Sequence, residues 1–136
     1  MDSLTKALAA AEGALEKKAY DLKVLHIEHL SSIADYFLIA TGRSDVQVQA
    51  IARGIEERME REGQRPLAIE GAQVGHWIAL DFDDVIVHLF FEATRDFYRL
   101  ERTWSDAREV ELPEPLRAQA RELHSGEPVS SAAARI

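Results

Sequence analysis

The sequence predicts an α/β protein in which a mixed sheet of about five strands carries helices packed on its faces. Two observations lead to this prediction. Apolar residues at helical and at strand-like intervals follow one another in the order helix, two strands, helix, three strands, helix. In addition, residues 85–91 are apolar on both faces of a strand, which is typical of a central strand covered on both sides.

The composition indicates one acidic domain. The chain has 136 residues and a formal net charge of −8 at pH 7. Phosphate contacts need clustered Lys and Arg, so this balance argues against direct nucleic-acid binding and favours a basic partner or simple solubility. We expect an α/β domain over residues 1–110 and a mobile tail over residues 111–136, in which prolines bracket a short helix at 116–123.

The expected location is the cytoplasm. The sequence has no cysteine, which excludes a disulfide framework, a thiolate nucleophile and a Cys-based zinc site. No apolar run approaches the ~20 residues that a membrane helix needs, and the N-terminus lacks a signal-peptide layout. We therefore expect no membrane association.

The elements of the first half are predicted from apolar spacing. A helix is expected over residues 3–18 with Ser3 as its N-cap, a first strand over 21–30 and a buried second strand over 36–40. Ser44 is placed to cap a second helix, and Gln47 three residues later resembles the end of a capping box. This helix is expected to run to about residue 62. A glycine follows it, and glycine commonly ends a helix. The helix permits a parallel right-handed crossover to the third strand.

The second half centres on a hairpin. Residues 65–70 predict a short third strand, while two apolar runs at 77–80 and 85–91 flank four residues that suit a tight antiparallel turn. A final helix is expected over residues 95–104, where large apolar side chains recur every three or four residues and can pack back on the sheet.

Two groups of short motifs stand in order along these segments. The first is DYFLIATG at residues 35–42, followed by Ser44 and Gln47. The second consists of EG at 70–71, GxWIxLD at 75–81, DVIVHLF at 84–90 and RxFYxLExxWxDA at 95–107. Together they resemble the Iojap family of ribosomal silencing factors, RsfS, over roughly residues 18–108.

The resemblance implies a fold akin to nucleotidyltransferases and a regulatory role. Members of the family bind the large ribosomal subunit through its protein number fourteen, block joining of the ribosomal subunits and lower translation when nutrients are scarce. They are commonly homodimers when free. The resemblance places the partner-binding surface on the hairpin and the final helix, at Trp77, Asp81, Arg95, Tyr98 and Glu101.

The alternative, which the implied kinship of the fold suggests, is a nucleotidyltransferase-like enzyme. A turn at residues 41–44 precedes a helix N-terminus, where backbone amides can hold a phosphate, and Asp81, Asp83 and Asp84 carry oxygens that suit a metal ion. However, both nucleotide-binding glycine patterns are absent, and Asp is a favoured turn residue. We therefore expect no catalytic residue, metal or cofactor. The family usually has Gly where this chain has Asp83, which leaves the turn geometry open.

For three aromatic residues, the sequence allows both a core role and a functional role. His88 is not part of a Ser-His-Asp or His-x-x-x-His pattern, which favours a core histidine with its hydrogen bonds satisfied. Trp104 ends an apolar stripe and is also expected in the core. Trp77 starts its strand after a glycine-containing loop, so we expect its ring to be partly exposed at the sheet margin, where it can anchor a partner.

Overall fold

The protein forms a six-stranded mixed sheet in the order β3-β4-β5-β2-β1-β6. The computed structural model describes residues 1–94 and 104–123. Residues 116–123 are helical, as the sequence predicts. The bounds of the other elements are α1 Ser3–Glu16, β1 Tyr20–His26, β2 Tyr36–Gly42, α2 Asp45–Arg61, β3 Ala68–Glu70, β4 Trp77–Asp81, β5 Val85–Phe91 and β6 Arg108–Glu109. The mixed α/β class is confirmed.

The centre of the sheet is the parallel pair β2 and β5. Their register runs from Tyr36 opposite Val85 to Gly42 opposite Phe91, and the other pairings of the sheet are antiparallel. The crossover through α2 joins β2 to β3. These two strands run in the same direction, but β5 and β4 lie between them in the sheet.

One face of the sheet, here called the helix face, is covered by α1 and α2. Gly13 of α1 and Gly54 of α2 let the two helices cross closely. A Cβ on Gly13 would lie 2.9 Å from the carbonyl oxygen of Gly54 and 2.9 Å from Cα of Ile55, which is closer than packed atoms allow. The core under the helices is made of side chains that are almost fully buried, including Val24, Leu38, Val48, Ile51, Ile55, Met59, Ile78, Leu80, Val87 and Leu89.

The opposite face, here called the aromatic face, carries a second apolar cluster. Its buried members come from β1, β2, β5 and the loop after β1. Half-buried side chains from β4, β5 and the segment after residue 103 pack against them. These residues are Leu25, Ile27, Ala34, Phe37, Ile39 and Phe90, with Trp77, Ile86, Trp104 and Ala107 beside them.

Several element ends differ from the sequence prediction. Asp2, and not Ser3, caps α1, because its Oδ1 accepts the Thr5 N–H at 2.8 Å. The first strand ends at His26, since the amides of Leu30 and Ser31 turn back to the Ile27 carbonyl. The third strand is confined to Ala68–Glu70.

A further difference is the sixth strand, β6, which the sequence prediction missed. It has two exposed, charged residues that pair with Leu25 and His26 of β1, and so short a strand carries no alternating pattern to detect. A boundary near residue 110 stays a prediction. Leu112 beyond it packs against the core under the helices, and Leu116 is buried.

The described residues include no helix that combines the length and the apolar character needed to cross a membrane.

We expect Gly13→Ala to destabilise the protein even though alanine has the higher helix propensity. The propensity gain is about 1 kcal/mol, whereas the added Cβ meets the backbone of α2 and overpacking costs about 1–3 kcal/mol. The net loss of unfolding free energy should be up to about 2 kcal/mol by urea denaturation. Glu57→Ala, at an exposed position of α2, should change it by less than about 0.5 kcal/mol. A Gly13→Ala protein that is more stable than the parent would contradict the close crossing.

Candidate partner-binding site

Strand β4 divides its side chains between the two faces of the sheet. Ile78 and Leu80 are buried on the helix face, whereas Trp77, Ala79 and Asp81 are half-buried on the aromatic face. Trp77 and Asp81 therefore lie at opposite ends of one row, about 13 Å apart along the strand. The structure places both predicted contact residues on the same face.

Among the described residues, Trp77 contacts Phe90, His88 and Gly71. Its ring stacks on Phe90 of the neighbouring strand with ring centroids 5.2 Å apart, and its indole Nε1 donates to His88 Nδ1 at 3.2 Å. Its backbone passes directly against Gly71, because a Cβ at that glycine would overlap the Trp77 carbonyl oxygen. The expectation of a partly exposed ring at the sheet margin agrees with this setting.

His88 lies behind Trp77 among aromatic and aliphatic side chains. The Phe37 ring meets it edge-on at 4.9 Å. Because an indole nitrogen is only a donor, Nδ1 of His88 is the acceptor and the imidazole proton resides on Nε2. Burial lowers the pKa of His88 to about 4, so the ring is neutral at pH 7. The sequence predicted a core histidine, but the structure has His88 half-buried and makes it part of the Trp77 site, which the sequence did not indicate.

The hairpin after β4 uses its aspartates for its own structure. Asp81 Oδ1 accepts the Asp83 N–H at 2.8 Å, and the Phe82 N–H donates to the Val85 carbonyl at 2.9 Å. Asp83 has φ of 77°, in the left-handed region that favours glycine and that Asp tolerates better than most residues. The turn therefore keeps the geometry that the family's glycine would give.

Asp84, the last residue of the turn, anchors the hairpin to α1. Lys6 is almost fully buried, and its Nζ donates to Asp84 Oδ1 at 2.6 Å and to the Phe82 carbonyl at 3.1 Å. The Asp84 carbonyl in turn accepts the Asp35 amide at 2.8 Å. The acidic turn is thus fixed by a cation from the protein itself. Within residues 1–94 and 104–123, no group of three or more His, Asp or Glu side chains is arranged to hold a metal ion.

The turn before α2 is also occupied by the protein's own groups. Ser44 caps the helix as predicted, since its Oγ accepts the Gln47 N–H at 3.1 Å, and Gln47 Oε1 accepts the Arg43 N–H at 2.7 Å. The Val46 N–H donates to Asp45 Oδ1 at 2.8 Å. These bonds use the amides that a phosphate would need, and the carboxylate of Asp45 repels an anion there.

The other residues of the predicted contact surface, Arg95, Tyr98 and Glu101, lie outside the described part of the chain, as does most of the expected helix at 95–104. Trp104, at its end, is in a turn and is half-buried, with its ring edge-on to Phe37 at 5.2 Å. It packs against the aromatic face, in keeping with its expected core role.

We expect the stability of the protein to fall as the pH is lowered from 6.5 to 4. In this window the unfolded chain protonates His88, whose ordinary pKa is about 6.5, while the folded chain does not. The unfolded state binds more protons, and the loss reaches about 3 kcal/mol near pH 4. Urea denaturation across this range measures it. His88→Asn should remove this contribution, whereas a His76→Asn control at an exposed histidine should keep the parent's dependence. Equal slopes for the parent and His88→Asn would contradict the assignment.

Comparison with known proteins identifies the family. The family model described as "Ribosomal silencing factor during starvation", RsfS, matches residues 1–135. The chain is 43% identical over 98 residues to the ribosomal silencing factor RsfS of Bacillus subtilis, covering 72% of this chain and 83% of the relative. It is 36% identical over 112 residues to the chloroplastic protein Iojap of Arabidopsis thaliana, covering 82% and 47%.

A solved structure supports the same assignment. The crystal structure of protein CV0518 from Chromobacterium violaceum matches with a TM-score of 0.76 and 30% identity, covering 77% of this chain and 88% of that one. Sequence, motif order and fold therefore agree: the chain belongs to the RsfS family of ribosomal silencing factors.

Proposed function

We propose that this protein represses translation by binding the large ribosomal subunit, through its ribosomal protein number fourteen, and sterically preventing the small subunit from joining. It acts in the cytoplasm when nutrients are limiting. Its membership of a family described as a ribosomal silencing factor during starvation supports the ribosomal target and the condition. The partner protein and the steric mechanism follow from the Iojap resemblance of the hairpin and final-helix motifs.

The observation that carries the proposal is the half-buried Trp77 on the aromatic face. Its ring is held by Phe90 and His88, so it is a rigid, amphipathic anchor of the type enriched at interaction hot spots. Asp81 lies at the far end of the same row of β4 and has one carboxylate oxygen outside its turn hydrogen bond. We place Arg95, Tyr98 and Glu101 on the same contact surface.

Charge supports a basic partner. The net charge of −8 favours association with a positively charged ribosomal protein, through complementarity and through faster encounter at low salt. On the contact surface, Asp81 and Glu101 are the acidic groups that would meet basic side chains of the partner. Direct contacts with ribosomal RNA are not part of the proposal.

The proposal assigns no catalysis to the site. The groups that a nucleotide enzyme would need are engaged in the fold: Asp84 pairs with Lys6, Asp81 holds the turn, and the amides before α2 are capped by Ser44 and Gln47. The relatives are named for a regulatory role and not for a reaction. We infer that the protein acts by occupying a surface.

Trp77→Ala is expected to weaken binding to the large subunit by about 30-fold, which corresponds to a hot-spot loss of about 2 kcal/mol. Co-sedimentation with purified large, small and joined ribosomal particles measures binding, and light scattering measures subunit joining. The parent protein should bind the large particle but not the small or the joined particle, and it should block joining. Glu101→Lys should weaken both effects by reversing a charge on the surface.

Two matched variants make this experiment specific. Asp81→Asn retains an acceptor for the Asp83 amide and removes the charge, so it should bind more weakly and with less dependence on salt, yet melt like the parent. Val46→Ala truncates an exposed apolar residue on α2 and should have no effect on binding. If Trp77→Ala and Glu101→Lys remain folded by circular dichroism and still bind and block joining, the proposed surface is wrong.

We also infer, from the Iojap resemblance, that the free protein is a homodimer. Light scattering at micromolar concentrations should give twice the mass of the chain. If the dimer buries the Trp77 surface, adding large subunits should dissociate it, because the two associations compete by mass action. A monomeric mass at every concentration tested would contradict the dimer without affecting the ribosomal proposal.

A further inference from the structure

We propose that His88 is a positioning residue of the partner-binding surface: its Nδ1 accepts the Trp77 indole N–H and holds the ring in a single orientation for the ribosomal partner. This inference rests on the proposed function and assigns a role to a residue inside the sheet. His88 itself need not touch the partner, because it acts through Trp77.

The register of the sheet creates the contact. Trp77 lies directly opposite Phe90 in the β4–β5 pair, and His88 lies opposite Ala79. His88 is therefore the diagonal neighbour of Trp77, within reach of a long side chain, and Ala79 leaves room for the indole to lean toward it. Stacking on Phe90 fixes the plane of the ring, whereas the hydrogen bond to His88 fixes which edge points inward.

The acceptor has to be an unprotonated nitrogen. A second proton on the imidazole would turn Nδ1 into a donor and break the bond to the indole. The described side chains packed around His88, Phe37, Ile39 and Phe90, are apolar. The strand register places four charged residues on this face: Glu70 on β3, Asp81 on β4, Lys23 on β1 and Glu109 on β6. Glu70 lies in the same cross-strand row as His88 but is separated from it by Ala79. Desolvation keeps the pKa of His88 near 4, so the acceptor persists at neutral pH.

A ring that is already oriented loses less side-chain freedom on binding. This preorganisation improves affinity without adding a contact, and one immobilised side chain accounts for about threefold to tenfold in the dissociation constant. A histidine that only filled space would give no such effect. An apolar side chain of similar size could then replace it without changing the Trp77 ring.

The indole N–H signals test the orientation directly. The chain has two tryptophans, and Trp104→Phe assigns their two indole signals in a proton–nitrogen NMR spectrum. In the parent, the Trp77 signal should show slow exchange with water and a constant shift between pH 8 and 5.5. His88→Asn keeps an oxygen at the Nδ1 position and should preserve the signal. His88→Leu should move it and increase its exchange rate at least tenfold.

Binding to the large subunit tests the consequence. His88→Asn should bind like the parent, and His88→Leu should bind about threefold to tenfold more weakly. In a Trp77→Phe background, which lacks the N–H, His88→Leu should cause no further loss, because the two residues act through one bond. Circular dichroism checks that each variant is folded. If His88→Leu does not fold, His88→Gln replaces it, since its amide reaches past the Nδ1 position.

The two proposals fail in different ways. Unchanged binding of folded Trp77→Ala overturns the contact surface, whatever the indole signals show. A Trp77 signal that is the same in the parent and in folded His88→Leu or His88→Gln overturns the positioning role, even if Trp77 is essential for binding. A further loss of affinity from His88→Leu in the Trp77→Phe background also overturns it.

Discussion

The parallel pairing of β2 with β5 is the constraint on which the rest of the structure depends. Every residue of β2 is buried, and β5 beside it has apolar side chains on both faces. A parallel pair of this kind must be covered on both sides, because neither face can be left in water. The helix pair α1 and α2 covers one face, and on the other face Trp104 and Ala107 pack against the aromatic cluster. The antiparallel strands outside this central pair can carry half-exposed side chains.

The packing of α1 and α2 on the helix face also positions the hairpin. Since Gly13 and Gly54 let α1 approach α2 closely, the N-terminal part of α1 reaches the turn after β4, where Lys6 binds Asp84 and the Phe82 carbonyl. A buried lysine needs such partners, because an unpaired ammonium in the core is costly. The same contact that satisfies Lys6 fixes the turn that holds Asp81. A surface residue of the proposed site is thus positioned from the opposite side of the sheet.

The aromatic face combines a core with a contact surface. Towards the centre of the sheet, Phe37 and Phe90 are buried, while at the β4 margin Trp77 and Asp81 are half-exposed. The transition occurs over one strand spacing, so Phe90, which stacks on Trp77, is buried, and His88, which accepts its N–H, is half-buried. His88 can therefore pack against the core and also belong to the site.

The amino-acid sequence by itself determined the fold class, the cap of α2 at Ser44, the hairpin and the family, because each is a local pattern: apolar spacing, a capping box, a turn segment and an ordered set of motifs. Tertiary structure alone decided the strand order, the two-residue β6 and the pairing of Lys6 with Asp84, which joins residues 78 positions apart. It also decided the bond between Trp77 and His88, since only the β4–β5 register makes these residues diagonal neighbours. Such contacts leave no spacing pattern in the sequence, because they form only when separate elements are brought together around a shared core.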